Sequence, residues 1–145
     1  MTFLVEAVTI SSRRGTQKQA VEEIRLIENW GIDGDAHAGK WHRQVSLLAG
    51  EAIDRLRAKG LQLAPGDFGE NLVTRGIDWS RVSIGDRIRI NDAELEITQI
   101  GKECLTPCAI FAAAGECIMP REGAFARVIK GGTIRAQCRG DHSIR

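Results

Sequence analysis

Residues 87–100, RIRINDAELEITQI, alternate apolar and charged side chains on both sides of Asn91-Asp92. With Asn91 and Asp92 as a two-residue turn, Ile88 faces Leu95, Arg87 faces Glu96 and Arg89 faces Glu94, so apolar and opposite-charge pairs demand the same antiparallel register. A lone hairpin is marginal in water. Further strands must cover its apolar face.

The remaining chain supplies short segments punctuated by glycine. Residues 2–10 set Phe3, Val5 and Ala7 against Thr2, Leu4 and Glu6, an alternation broken by Leu4, and read as a first strand that turns at 11–15. Residues 21–27 place Ile24 and Leu26 around Arg25 as a second strand. Pro65-Gly66 turns the chain toward a strand beginning near Phe68, and Gly131-Gly132 leads into a last strand at 133–136. Ser46 is expected to cap a helix to about residue 59, because Leu48, Ala52, Ile53 and Leu56 recur at helical spacing and Gly60 supplies a stop. A second, short helix is expected over 108–114. Many short strands and few helices predict a mainly β fold, a closed or nearly closed β-barrel rather than a layered βαβ arrangement.

At 145 residues, with 43% hydrophobic and 27% charged side chains, the chain is expected to form one domain over 1–145 with its own core. Twenty Lys plus Arg balance nineteen Asp plus Glu, and the resulting charge of +1 gives no overall field for gripping nucleic acid or a membrane. Any anion must be held by a local cluster. No basic region precedes the first apolar residues and Glu6 interrupts them, so neither an export signal nor a membrane span is expected, and the reading is cytoplasmic. Four cysteines are too few for a disulfide scaffold and are expected to stay reduced.

Three of those cysteines, Cys104, Cys108 and Cys117, fall close together. Thr106 and Pro107 can serve as cap and first residue of a helix, which puts Cys108 in the first turn, where unpaired amides and the helix dipole favour a thiolate. The competing reading is a small buried hydrophobe. Cys-x3-Cys-x8-Cys lacks the paired spacing of zinc ribbons, so structural zinc is not expected. Cys138 reads as packing. The chain has no phosphate-loop lysine signature, dinucleotide fingerprint or Ser/His/Asp order, so no nucleotide cofactor is expected.

The glycine-rich stretch 31–44, GIDGDAHAGKWHRQ, gathers Asp33, Asp35, His37, Lys40, His42 and Arg43. Amides exposed at Gly34 and Gly39, with Lys40, His42 and Arg43, could cradle a phosphate. The alternative is an exposed loop whose acids and bases pair with each other. Arg13, Arg14 and Lys18 could add to an anion site, although basic residues in a turn are commonly just solvated. In PGDFGEN, 65–71, Gly66 and Gly69 could let the main chain approach a flat ligand, with Glu70 and Asn71 as acceptor and amide. The bland alternative is a tight barrel corner.

The ordered set of GIDGDAH ending at His37, Arg43-Gln-Val, PGDFGEN ending at Asn71, Ile84-Gly-Asp and Pro107-Cys108 resembles the MOSC domain over about 11–141. Cys117 to Gly123, CIMPREG, is similar to the small stand-alone members. One departure is Gln137-Cys138-Arg139 between Gly131-Gly-Thr-Ile-Arg-Ala and Gly140-Asp141, where family members run from Gly-Gly-x-Ile directly toward Gly-Asp.

The resemblance implies a barrel like that of pyruvate kinase and a role with molybdenum cofactor, molybdopterin carrying the metal. Cys108 would ligate molybdenum or carry a persulfide, while His37, Lys40, His42, Arg43, Gly69, Glu70 and Asn71 would contact the cofactor. Three activities stay open: handling the cofactor or its sulfur, molybdenum-dependent reduction of N-hydroxylated compounds, and non-catalytic cofactor delivery. The first would make the chain a sulfur transferase, and the second an oxidoreductase. The chain lacks the fused domains that supply sulfur or electrons in larger members. The implied partners are therefore a pyridoxal phosphate-dependent cysteine desulfurase, an electron donor protein or an apo-molybdoenzyme, with a homodimer also open.

Overall fold

The computed structural model describes residues 1–13, 18–101 and 123–144. Its strands are β1 (Thr2–Ile10), β2 (Gln19–Val21), β3 (Glu23–Ile27), β4 (Gly31–Ile32), β5 (Val45–Ala49), β6 (Leu72–Arg75), β7 (Arg87–Ile90), β8 (Ala93–Ile100), β9 (Gly123–Lys130), β10 (Gly132–Arg135) and β11 (Arg139–Ser143). One helix, α1 (Gly50–Arg57), and a 3-10 turn at Trp79–Arg81 accompany them among the described residues. Hydrogen bonding runs β11-β7-β8-β9-β5-β6-β1, and β1 pairs back onto β11, so seven strands close a barrel. The expected mainly β barrel is what forms. β2 extends the edge of β1, while β10, β3 and β4 make a separate small sheet. Among the described residues no helix is long and apolar enough to cross a membrane.

The β7–β8 hairpin has the register its sequence demands: Arg87 opposite Glu96, Ile88 opposite Leu95 and Arg89 opposite Glu94. Asn91 takes φ 53°, the left-handed conformation that two-residue hairpin turns require and that asparagine tolerates. Ile88, Ile90, Leu95 and Ile97 fill the barrel interior with Phe3, Val5 and Val8 of β1. Leu4 is only partly buried and leaves the alternation of β1 intact; the break comes later in the strand. The register against β6 shifts between Val5 and Ala7, a bulge that puts Val8 inside and Ala7 outside, under α1.

Two expectations are corrected. Ser46 does not cap a helix: residues Val45–Ala49 form β5, and α1 begins at Gly50 with Ala49 as a cap that offers no side-chain hydrogen bond. A serine cap contributes about 1 kcal/mol, whereas enclosing each of Val45, Leu47 and Leu48 contributes about 1.5–3 kcal/mol. All three are completely buried, so tertiary burial decides the conformation. The resulting β5–α1–β6 crossover makes β5 and β6 parallel and lays Ala52, Ile53 and Leu56 over Leu48, Val73 and Phe125 on the outside of the barrel.

The segment near 133–136 is not the last strand either. It is β10, and β11 follows it to close the barrel against β1 and β7. β11 buries only Gly140 and His142. Phe3 lies so close opposite Gly140 that any Cβ there would overlap its ring. His142 Nε2 lies 2.8 Å from Asp86 Oδ2 inside the barrel wall, tying β11 to the turn before β7. The second expected strand is divided into β2 and β3, and the strand expected near Phe68 begins only at Leu72. The helix expected over 108–114 and residues 14 and 15 of the turn expected at 11–15 lie outside the described residues.

Candidate functional site

The site grows from one rung of hydrogen-bonded neighbours that crosses four strands and the residue just before β6. Gln99 on β8 pairs with Phe125 on β9, Phe125 with Ser46 on β5, the Asn71 amide bonds to Ser46 O, and the Thr9 amide of β1 bonds to Asn71 O. β8 ends just past this rung, and Gly101 N donates to Gly123 O at 2.7 Å across the base of residues 102–122. That segment carries Cys104, Cys108 and Cys117, which lie outside the described residues.

A register shift between Ile97 and Gln99 re-aims the end of β8. Gln99 Oε1 lies 3.0 Å from His42 Nε2 and accepts from Arg43 Nε at 3.0 Å, while Gln99 Nε2 donates to Gly101 O at 2.8 Å. One amide thus links the basic loop to the root of the cysteine segment. Thr98 Oγ1 donates to His42 O, and the Arg43 guanidinium stands 5.0 Å above the Phe125 ring, a cation–π contact. Arg43 is held through Nε and its contact with the ring, and among the described residues the outer nitrogens of its planar fork have no partner.

The rest of the 31–44 loop is folded around Trp41 and Gln44. Trp41 Nε1 donates to His37 O at 2.8 Å, and the His37 ring stacks parallel to the indole with centroids 6.5 Å apart. Gln44 is fully enclosed, accepting from Val128 N at 2.9 Å and donating to Gly39 O at 2.9 Å, so it pins the loop onto β9. Lys40 and His42 remain exposed. Among the described residues Asp35 pairs with no arginine, and the nearest base of its own loop is His37, whose Nδ1 stands 3.9 Å from Asp35 Oδ2. Asp35 turns inward and forms an ion pair with Lys18 at 2.7 Å, with side-chain exposures of only 0% and 1%. Its oxygens also accept from Ser11 N and His37 N, both at 3.1 Å. Lys18 is therefore a buried strut rather than part of a solvated basic turn.

The 65–71 turn is a backbone corner built on two inward side chains. Glu70 accepts from Gly66 N at 2.7 Å and Phe68 N at 3.0 Å, and Asn71 accepts from Ser46 N at 3.0 Å while donating to Thr9 O at 3.2 Å. Both residues are fully buried. Gly66 has φ +96° and sits so close to the Lys18 carbonyl that a Cβ there would overlap it. Gly69 is left-handed too, with open space where a Cβ would point. The turn thus lies against Lys18, which also holds Asp35 of the basic loop, whereas His42 and Arg43 sit on Gln99 at the other end of the rung.

Burial pushes the Glu70 carboxyl up from 4.5 to about 7, partly offset by its bonds from the Gly66 and Phe68 amides. The folded state then holds this proton more tightly than the unfolded chain. Its contribution to stability is fully present below pH 4.5 and is lost as pH rises through about 7, a swing of about 3 kcal/mol. Urea unfolding between pH 4.5 and 8 should show that decline in the native sequence, and Glu70→Gln, neutral throughout, should remove it. Parallel profiles for the two proteins would mean that Glu70 keeps its ordinary acidity.

Ser46 completes the description. It is 5% exposed, and its hydroxyl meets no hydrogen-bond partner among the described residues, although it sits on the rung between Phe125 and Asn71. Cys138, by contrast, is partly buried against the core and accepts a bond from Asn91 Nδ2 at 3.4 Å, as suits packing. Trp41, Gln44 and Gln99 escaped the sequence analysis. Density of polar residues could have flagged the first two; Gln99 owes its role to the bulge and leaves no local trace.

The family model of the MOSC domain matches residues 34–139. Among solved structures, the chain is similar to the YuaD protein from Bacillus subtilis, with 19% identity and a TM-score of 0.82 over 100% of this chain and 98% of that one. It is also similar to YiiM from Escherichia coli, at 24% identity and TM-score 0.68 over 100% and 71% of the two chains. YiiM from Geobacillus stearothermophilus gives 16% and 0.71 over 99% and 76%. These likenesses carry the fold. No curated protein matches the chain.

Proposed function

The chain belongs to the MOSC domain family, and from that premise we propose that it binds molybdenum cofactor and handles the cofactor or its sulfur through the thiolate of Cys108. The observation that carries this reading is the Gln99 amide, which anchors His42 and Arg43 two residues before the chain enters the Cys108 segment. A basic loop joined to the start of the segment that carries a soft thiolate suits a ligand that is anionic at one end and metallic at the other.

The residues present fit that group on two counts. The loop offers an ammonium, an imidazole and a fixed guanidinium for the anionic tail, and the buried Ser46 hydroxyl on the same rung meets no hydrogen-bond partner among the described residues. When bound, the group would supply a redox-active metal centre with affinity for sulfur. Lys40, His42 and Arg43 would hold its tail, His37 would add a donor from the loop, and the Gly69 main chain would admit a flat ring. Glu70 and Asn71 would act behind them, keeping the corner in shape. Cys108 would present a thiolate as metal ligand or as the atom that carries persulfide sulfur.

The state of the purified full chain tests this. Metal analysis for molybdenum and mass spectrometry for a persulfide should find at least one of them, and an added cofactor should bind. Tightly held molybdenum would favour the reductase, a labile persulfide sulfur transfer, and freely exchanging cofactor delivery. Arg43→Ala should weaken cofactor binding roughly 10- to 100-fold, the equivalent of losing a charge-assisted bond of about 1.5–3 kcal/mol. Neither molybdenum, nor cofactor, nor persulfide on the native chain would refute the reading.

A further inference from the structure

We propose that the groove between the 40–42 loop and the β7–β8 hairpin docks an acidic segment of a partner protein. The groove is open, encloses about 910 Å³, and is lined by Lys40, Trp41, Ile84, Arg87, Glu96 and Arg127. Three cations line it against the Glu96 carboxylate, one of them, Arg87, also paired with Glu94 at 3.0 Å. Glu96 bonds to Arg127 Nε at 3.1 Å and to Arg87 Nη2 at 3.3 Å, which fixes both arginines in place. Arg127 uses no other nitrogen among the described residues, and its side chain is 47% exposed, so its outer fork remains available. Ile84 stands 58% exposed on the rim, and half-buried Trp41 supplies an apolar wall.

That mixture selects among occupants. A small anion is best held where unpaired donors converge in an enclosed site, and this groove is open, with two of its cations already braced by Glu96. A polynucleotide presents a continuous line of phosphates, which the floor carboxylate would repel. An acidic peptide presents separated carboxylates with apolar side chains between them, matching the exposed outer fork of Arg127 beside Ile84 and Trp41. Net charge of +1 gives the whole molecule little pull on such a partner, so attraction depends on this local cluster. The groove also adjoins His42, which lines it and touches Gln99, so a docked partner would stand next to the base of the cysteine segment. The inference goes beyond cofactor binding and identifies the kind of surface a sulfur, electron or apo-enzyme partner would bring.

Fluorescence anisotropy of the full chain tests it with a fluorescein-labelled decapeptide of glutamates around two central leucines. The comparison ligands are the same peptide with lysines for glutamates and a single-stranded oligothymidylate. The acidic peptide should bind most tightly and weaken as salt rises. Arg127→Glu should weaken it about tenfold and make the lysine peptide the better ligand, with a somewhat lowered but still cooperative unfolding transition, because position 127 is exposed yet lies directly opposite Glu96. Equal binding of the acidic peptide to both proteins, no preference over the lysine peptide, or tighter binding of the oligonucleotide would overturn the proposal. The assay contains no cofactor, so failure of the molybdenum reading leaves its outcome readable, and the reverse holds as well.

Discussion

Cys108→Ser should abolish loading of molybdenum or persulfide sulfur while leaving the barrel folded. Serine has nearly the shape of cysteine, but its hydroxyl stays protonated near neutral pH, so it loses both the soft-ligand role and the ability to accept sulfur. Outer partners of a metal ligand already cost roughly 10- to 100-fold when removed, so loss of the ligand itself should reduce loading at least about a hundredfold. The barrel closes through β1, β11, β7, β8, β9, β5 and β6, none of which contains residue 108. Far-ultraviolet circular dichroism and thermal unfolding should therefore match the native protein. Cys104→Ser, measured alongside, should have the smaller effect. Native loading in the Cys108 variant would transfer the role to Cys104 or Cys117 and remove the chemical centre of the proposed function.

What could be read from the sequence follows from how locally each feature is encoded. The β7–β8 hairpin was legible because charge pairing, apolar alternation and an asparagine turn all require one register. β11 was not, since RGDHS buries a glycine and a histidine and shows no apolar alternation; its pairing is dictated by Phe3 and Ile90 on strands far away in sequence. The same distinction divides the site. Density of polar groups on a glycine-rich stretch marked 31–44 as a candidate binding loop, and Lys40, His42 and Arg43 lie at the surface or on Gln99. Position alone could not tell that Glu70 and Asn71 would spend their polar atoms on the main chain, because their partners lie in a turn, on β5 and on β1. Nor could it separate Asp35 from its exposed neighbours, since the residue that pairs with it, Lys18, belongs to a different loop.

Lys18→Met should destabilise the protein by about 3–5 kcal/mol, a large share of the roughly 5–15 kcal/mol that holds a domain of this size folded. Methionine nearly fills the space of the lysine stem, so the loss is not a cavity effect. It arises because the Asp35 carboxylate would remain enclosed with amide donors from Ser11 and His37 but without its cation. A buried charge stripped of its partner costs far more than the intact pair contributes. Adding Asp35→Asn to Lys18→Met should recover part of the loss, because a neutral amide needs no counter-charge and can still accept from Ser11 N. Urea unfolding of the single and double variants measures the coupling directly. Recovery would identify the pair as an electrostatic strut beneath the basic loop, and the double variant should then weaken cofactor binding less than Lys18→Met does. If Lys18→Met costs less than about 1 kcal/mol, water reaches Asp35 and the loop is anchored by Gln44 and Gln99 instead.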